Sequence, residues 1–348
     1  MSVDSLAAAG RADGLMDRPA DGSTQWEGQA VRSYHGQPVI KEPVWTWEIP
    51  CYFYTGGLAG ASAGLALLSE LRGNEVLARR AWTAALGGAA LSPALLTSDL
   101  GKPMRFLNML RMFKVTSPMS VGTWILTFSG GTTAVAAAHA WRGWFPRSAR
   151  LAKPAAALLG LPLATYTGAL VANTAVPVWH EARRELPFVF ASGAALSAGA
   201  AGVMLAPPDH AAPARRLALT GAVAELVIKK TMEKRLGPHG EPYKHGAASV
   251  FGRITEASVA AGAALLALRG GSSRPAAVVA GAVMSAGALS ARWSVFKAGF
   301  ASASDPKYVV GPQREDIQRG RRRGSARKAA RVTPGDPAAG SPATAVGR

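Results

Sequence analysis

The feature that most constrains this chain is a succession of long apolar segments, with charged residues confined to the two ends and to the gaps between segments. Hydrophobic residues make up 49% of the sequence and charged residues only 17%. Soluble domains usually carry about 25% charged residues. A helix of about 20 apolar residues is long enough to cross the hydrocarbon core of a bilayer. The pattern therefore predicts an all-α integral membrane protein that crosses the membrane several times.

About eight segments are predicted to be transmembrane helices. Their boundaries are 49–71, 81–98, 119–141, 155–178, 187–206, 217–228, 254–268 and 276–296. The sixth and seventh are too short to cross alone, and such lengths suit buried or re-entrant segments unless neighbouring helices shelter their ends. The polar ends are predicted to be a flexible arm over residues 1–42 and a disordered basic tail over residues 301–348.

The net charge of +18 does not by itself indicate nucleic-acid binding. Residues 306–348 hold ten Lys and Arg against three acidic residues, so this tail supplies much of the charge. A basic segment beside a membrane is attracted to anionic lipid headgroups. We expect membrane lipids as partners and no nucleic acid. The connecting loops are nearly balanced in Lys and Arg, and the tail tips the predicted orientation toward cytoplasmic termini.

The sequence limits the redox groups that the chain itself can hold. Cys51 is the only cysteine, which excludes an intrachain disulfide and a cysteine-held iron–sulfur cluster. Only His139 of the six histidines falls inside a predicted span, whereas a bis-histidine haem needs two. We therefore expect no haem, iron–sulfur cluster or metal in this chain.

A polar face is predicted at the entry of the first span. Glu48, Cys51, Tyr52 and Thr55 share one side of the helix because they are three and four residues apart. A carboxylate and a phenol near the membrane surface suit hydrogen bonding to the polar head of a ligand. Interfacial anchoring by aromatic rings is the alternative interpretation.

The loop 99–118 follows the second predicted span. It begins at Asp99, and its apolar residues alternate with Arg105, Arg111 and Lys114 at helical spacing. We expect a short amphipathic helix in the interface, serving as a lid over a pocket at lipid level or as a docking surface. Asp99 could equally pair with Arg105 or cap the next element.

Polar residues inside the later spans form a second candidate group. Glu225 and Glu256 lie in or at the edge of the sixth and seventh spans, and Asn173 lies in the fourth. Ionisable groups at membrane depth are costly and often mark ion or proton paths. A structural pair with Lys229 or Arg253 is the alternative.

Four motifs stand out in the first half of the sequence. They are KEPVWTWEIP (41–50), YTGGLAGAS (54–62), SDLGKPMRFLNMLRMFK (98–114) and TSPMSVGTW (116–124), with shorter ones at 166–168, 176–179 and 301–306. Together they resemble the NrfD or polysulfide reductase membrane-subunit family over about residues 34–310.

The resemblance implies eight helices in two four-helix bundles, which we place at 43–180 and 181–300. It further implies a quinone, menaquinone or ubiquinone, bound in the first bundle. A ferredoxin-like iron–sulfur subunit is expected to dock beside that site and to exchange electrons with a molybdopterin catalytic subunit. Relatives act on formate, polysulfide or nitrite, so a formate dehydrogenase-type complex in the cytoplasmic (inner) membrane is one instance.

The resemblance also suggests which residues act. The expected quinone-binding residues are Glu48, Tyr52, Tyr54, Asp99, Ser117 and Met119. The expected docking residues are Arg105, Arg111 and Lys114. Some relatives carry Asn or His where Glu48 and Tyr52 stand here. Two other functions remain open: a proton- or ion-coupled transporter that uses Glu225, Glu256 and Asn173, and a purely structural anchor.

Overall fold

Long helices account for most of the structure. In a computed structural model, residues 39–320 are described apart from 103, 313, 315, 316 and 319. Within this part the chain forms eight helices of at least 20 residues and no strand. The long helices are α1 (Glu48–Leu71), α2 (Glu75–Asp99), α4 (Pro118–Arg142), α5 (Pro146–Ala172), α7 (Leu186–Leu205), α8 (Ala212–Leu236), α9 (Gly246–Arg269) and α10 (Arg274–Ser304). The five-residue helices are α3 (Arg105–Met109) and α6 (Pro177–Glu181).

Five of the eight long helices are long and apolar enough to cross a membrane: α1, α5, α7, α9 and α10. The remaining three, α2, α4 and α8, have similar lengths but contain no stretch that meets the same measure of apolar character. The chain is therefore an all-helical, multi-pass membrane protein, as predicted.

The long helices contact one another in two groups along the chain. In the first half, α1 packs against α2 and α5, while α4 packs against α5 and α2. In the second half, α7 packs against α8 and α10, while α9 packs against α10 and α8. The halves meet where α7 contacts α1 and α5.

Glycine allows the closest of these approaches. A Cβ atom at Gly60 of α1 would lie 2.3 Å from the backbone oxygen of Gly160 in α5. Small residues bring helix backbones together in membranes, where packing rather than the hydrophobic effect drives association. The contact between Gly60 and Gly160 fixes where α1 and α5 cross.

The buried side chains form two clusters, and each draws on both halves of the chain. One contains Phe53 of α1, Trp179 of α6 and Phe296 of α10. The other contains Leu65 of α1 and Met284 of α10. The clusters lie one after the other along α1, so the two halves are joined by apolar packing over the length of that helix.

Several helices extend beyond the predicted apolar segments. Helix α8 covers Ala212–Leu236 rather than 217–228, and α9 covers Gly246–Arg269 rather than 254–268. Long Lys and Arg side chains keep their charged ends near polar groups while the backbone stays helical. The helices therefore continue through charged residues at which the apolar segments predicted from hydropathy end.

The fourth predicted span, 155–178, is wrong at both ends. Helix α5 begins at Pro146 and ends at Ala172, where the Asn173 N–H bonds the Ala169 oxygen. Pro177 then opens α6, because its missing N–H and fixed φ suit the first position of a helix.

The predicted arm and tail lie largely outside the described residues. Residues 1–38 and 321–348 are not described. Helix α10 continues to Ser304, past the predicted boundary at 300, because the buried Ser302 and Ala303 still pack against the fold. Residues 307–312 are helical too.

Candidate functional site

A small cavity lies between α1, the end of α2, and helices α4 and α5. Its volume is about 50 Å³, and it is lined mainly by apolar and aromatic side chains. Of the predicted ligand-binding residues, Tyr52, Asp99 and Met119 line it. Trp45 and Tyr166 complete the wall. The structure therefore brings three of the six predicted residues together around one space.

Tyr52 offers a hydrogen-bond donor to this cavity. Its side chain is 2% exposed, and its hydroxyl makes no hydrogen bond within the part of the chain that the structure describes. A buried phenol usually finds a polar partner. The Tyr52 hydroxyl is therefore available to a ligand in the cavity.

Tyr166 forms the opposite wall and was missed as a site residue. Its hydroxyl donates to the Pro118 backbone oxygen over 2.6 Å, which leaves its oxygen lone pairs free to accept. Gly122 of α4 makes room for the ring, since a Cβ there would lie 1.9 Å from Tyr166 Cζ. The signal in the sequence was the short motif at 166–168, which belongs to the resemblance.

Asp99 lies at the edge of the cavity, at the last position of α2. Its Oδ1 atom accepts hydrogen bonds from the Thr46 N–H at 3.0 Å and from the Thr46 hydroxyl at 2.7 Å. Its Oδ2 atom accepts none among the described residues. The carboxylate is thus held in place by one oxygen and offers the other.

Glu48 belongs to the same polar group but does not line the cavity. Its Oε2 atom and Asp99 Oδ1 both lie within hydrogen-bond distance of the Thr46 hydroxyl. Because that hydroxyl has a single proton, Glu48 competes with Asp99 for it and reaches Asp99 only through Thr46. Ser117 does not line the cavity either. It caps α4 by accepting from the Ser120 N–H at 3.4 Å, which is a structural role.

The loop 99–118 closes one side of the cavity. It contains α3, and Met109 at the end of that helix lines the cavity. Met109 Sδ lies 3.7 Å from the Thr123 hydroxyl oxygen, which donates its proton to the Met119 backbone oxygen at 2.9 Å. The Ser120 hydroxyl donates to the Met112 oxygen at 3.1 Å and accepts from the Lys114 N–H at 3.1 Å. A few hydrogen bonds and one flexible thioether hold the loop over the space.

The outer side of this loop is both apolar and cationic. Arg105, Arg111 and Lys114 are exposed and form no ion pair among the described residues. Large apolar side chains are exposed between them, namely Met104, Leu107, Met112, Phe113 and Val115. A mixed surface of this kind is typical of contact with a membrane surface or a partner protein.

Tyr54, predicted to bind the same ligand, faces the other half of the molecule. Its hydroxyl lies beside the hydroxyls of Ser197 and Ser285 and near Arg292. Residues two positions apart on a helix point in nearly opposite directions, so Tyr52 and Tyr54 cannot line one cavity.

Arg292 forms a buried charge pair with Glu225. Both side chains are almost completely buried, and Arg292 Nη1 lies 4.0 Å from Glu225 Oε1. Arg292 also donates to the Phe190 backbone oxygen at 3.0 Å and stacks on that ring. Neither Glu225 oxygen accepts a hydrogen bond in the described structure. Gly193 gives the pair its space, since a Cβ there would lie 2.2 Å from Arg292 Nη2.

Further charges lead from this pair toward the surface. Lys229, one turn after Glu225, is buried and donates to the Gly252 oxygen at 3.3 Å. Its Nζ atom lies 3.8 Å from Glu233 and 3.7 Å from Glu256, whose side chain is 42% exposed. Glu225 and Glu256 thus belong to one charged cluster. Asn173 is not part of it, because it is exposed at the end of α5.

The described residues contain no group of three or more His, Cys, Asp or Glu side chains that could hold a metal ion. The polar groups at the small cavity, a phenol and a carboxylate oxygen, match instead an organic ligand that accepts and donates hydrogen bonds.

Comparison with known proteins identifies the family. A family model described as polysulfide reductase (NrfD) matches residues 32–304, which is well over half of the chain. No curated protein matches the chain significantly. The match covers all eight long helices and the loop that closes the cavity. This chain belongs to the NrfD family of polysulfide reductase membrane subunits.

Proposed function

We propose that this chain is the membrane subunit of a respiratory oxidoreductase and that a quinone reacts in the cavity between Tyr52, Asp99 and Tyr166. The family supports a membrane subunit that interacts with quinone. The observation that carries the proposal for this chain is the unpartnered Tyr52 hydroxyl, which lines the same cavity as Asp99.

A quinone, menaquinone or ubiquinone, supplies two-electron, two-proton chemistry when it is bound. The Tyr52 hydroxyl is proposed to hold the ligand by donating to one of its carbonyl oxygens. The free Oδ2 atom of Asp99 is proposed to take up or release the two protons one after the other, while Thr46 fixes the other oxygen. Tyr166 and Met119 limit the access of water.

The cavity must enlarge to admit this ligand. Its 50 Å³ is smaller than the roughly 300 Å³ of the smallest usual ligand pockets. Met109 and Met119 line the side toward the loop, and methionine side chains rearrange easily. We therefore assign to loop 99–118 the role of a lid that moves when the ligand enters.

The outer surface of the same loop is proposed to dock the iron–sulfur partner. Arg105, Arg111 and Lys114 are exposed and unpaired in the described structure, and complementary charge speeds and orients association. A ferredoxin-like subunit seated there would exchange electrons with the cavity directly beneath, and with a molybdopterin subunit beyond. A formate dehydrogenase-type complex is one member of this class.

In this proposal all eight long helices cross the cytoplasmic membrane, as two four-helix bundles. The contacts within each half support the division. The polar residues of α2, α4 and α8 then contact neighbouring helices rather than lipid.

Asp99→Asn tests the proposed function. The amide keeps an oxygen for Thr46 and removes the proton acceptor. Quinone-linked turnover of the assembled complex is expected to fall about 100-fold, the lower range for loss of an acid–base group. Glu181→Gln, the same chemical change at the end of α6, is the control and should keep full turnover. Full activity of an assembled Asp99→Asn complex would contradict the role of Asp99.

A second function, proton transfer through the second half, is favoured by one observation. The charges run from buried Glu225 past Lys229 to half-exposed Glu256. If this row carries protons, Glu256→Gln should lower proton uptake by vesicles containing the complex and leave quinone turnover in detergent unchanged. Unchanged proton uptake would make the row a structural ion-pair network.

A further inference from the structure

A second and larger cavity lies away from the Asp99 site. It has a volume of about 710 Å³ and is bounded by α1, α5, α7 and α8. It reaches from Gly60, in the middle of α1, to Arg72, just after the end of that helix. Its volume falls in the usual range of roughly 300–1,000 Å³ for ligand sites. None of the residues assigned to the quinone or to proton transfer lines it.

The cleft lies beside the closest approach of α1 and α5. The touching point is Gly60 against Gly160. One turn later, a Cβ atom at Gly64 would meet no other atom within 4 Å. Gly64 therefore faces open space, which a larger side chain at this position would fill. Gly60 and Gly64 lie on the same side of α1; the first packs against α5 and the second borders the cleft.

The dimensions of the cleft suit a lipid chain. Twelve residues of helix separate Gly60 from Arg72, which is about 18 Å at 1.5 Å per residue. One leaflet of the hydrocarbon core is about 15 Å deep, half of the full thickness. The walls are apolar, and Leu68 and Leu161 are more than half exposed, so the cleft is open to the side.

The outer end of the cleft is cationic. Arg72 and Arg216 line it, both are exposed, and neither forms an ion pair or a side-chain hydrogen bond in the described structure. Asn74 is already engaged, since its Nδ2 donates to the His210 oxygen at 2.8 Å and its Oδ1 accepts from the Leu77 N–H at 3.1 Å. The two guanidinium groups are therefore the polar groups left for a ligand.

Nearby acids do not neutralise these arginines. Glu70 of α1 is bound by Lys153 and lies outside the cleft. Arg216 also lies in the second turn of α8, near the positive end of the helix dipole. Basic pockets between membrane helices bind anionic headgroups, and Arg binds phosphate oxygens through several N–H groups.

We propose that this cleft is a binding site for an anionic phospholipid. One acyl chain lies along the Gly64 side of α1, and the phosphate is bound by Arg72 and Arg216. The lipid fills the space between the two halves of the molecule, where α1 and α5 face α7 and α8. This site does not depend on the quinone proposal, since it shares no residue with that cavity.

The test is native mass spectrometry of the purified full chain, titrated with phosphatidylglycerol and separately with zwitterionic phosphatidylethanolamine. The wild-type chain is expected to bind one phosphatidylglycerol at least tenfold more tightly than further copies or than phosphatidylethanolamine. In the Arg72→Gln/Arg216→Gln double variant, this preference should disappear. Both side chains are exposed, so the variant is expected to fold.

Gly64→Leu tests the acyl-chain part of the site. It should weaken the first binding step at least tenfold for phosphatidylglycerol. Gly87→Leu is the matched control, because a Cβ at Gly87 of α2 also meets no atom within 4 Å and Gly87 is outside the cleft. Wild-type affinity in either the arginine double variant or Gly64→Leu would overturn the proposal. Displacement of the lipid by a short-chain quinone would overturn it as well.

Discussion

The two halves of this molecule each hold an acidic residue among the helices, in opposite settings. Asp99 lies at the edge of a cavity, held through one oxygen by Thr46 and with the other oxygen free. Glu225 is fully buried against Arg292, and neither of its oxygens accepts a hydrogen bond among the described residues. A carboxylate beside open space can act on a ligand. A carboxylate sealed between helices needs a counter-charge simply to be tolerated.

This difference separates function from stability. We expect changes at Glu225 and Arg292 to affect folding first, and changes around Asp99 to affect turnover first.

The largest effect is expected for Arg292→Met. Removing one partner of a buried pair leaves an uncompensated charge, at a cost of about 3–5 kcal/mol. The variant should accumulate poorly and lose most of its thermal stability in detergent. The Arg292→Met/Glu225→Leu double variant should recover much of the loss. Equal stability of Arg292→Met and the wild type would show that the pair does not support the fold.

The next effect is expected for Gly122→Ala. The new methyl group would overlap the Tyr166 ring, so the ring must move and the cavity must change. Overpacking of this kind lowers the free energy of unfolding by about 1–3 kcal/mol. Because the cavity changes shape, quinone-linked turnover should also fall at least tenfold. Gly130→Ala, two turns later in α4, is the matched control, since its Cβ meets nothing within 4 Å. If both variants turn over alike, Tyr166 does not shape the reactive site.

A smaller effect is expected on partner docking. Changing Arg105, Arg111 and Lys114 together to Gln should weaken association with the iron–sulfur subunit about tenfold and reduce its dependence on salt. The control changes Arg142, Arg147 and Arg150 to Gln, which removes the same charge from the end of α4 and the start of α5. A larger loss from the control set would place the partner on the other end of the molecule.

The smallest effect is expected at an exposed ion pair in the second half. Lys307 donates to Glu241 at 3.1 Å, which holds the pKa of the Glu241 carboxyl below its ordinary value. Any stabilisation is therefore present above the unfolded pKa and is lost as the pH falls through the lower folded pKa. Since exposed pairs contribute little, Glu241→Gln should leave the melting temperature at pH 7 nearly unchanged. A loss comparable with that of Arg292→Met would remove the contrast between buried and exposed pairs.

The order and approximate positions of the long helices could be predicted from the sequence, because apolar segments mark the parts of the chain that lie in the membrane core. Helix α1 was predicted within one residue, as 49–71 against Glu48–Leu71. The ends of α8 were not, because charged residues such as Lys229 and Arg235 continue the helix while their side chains reach polar partners. Hydropathy reports which residues avoid water, and not where a backbone stops being helical.

The site was predictable only in part for a similar reason. Helical spacing correctly put Tyr52 and Thr55 on one buried face. Tyr54 was added by resemblance alone, and it faces Arg292 instead. Tyr166 is separated from Tyr52 by more than a hundred positions, and its role depends on where α5 crosses α1. That crossing is set by Gly60 and Gly160, whose pairing no local pattern in the sequence reveals.

The most direct test of where the quinone binds is photolabelling of the wild-type chain with an azido-quinone, followed by mapping of the labelled peptides. We predict labelling of peptides that carry Tyr52, Met119 and Tyr166, and competition by unmodified quinone. Labelling confined to the Gly64 cleft, or to the segments around Glu225 and Arg292, would contradict the assignment of the quinone to the Asp99 cavity.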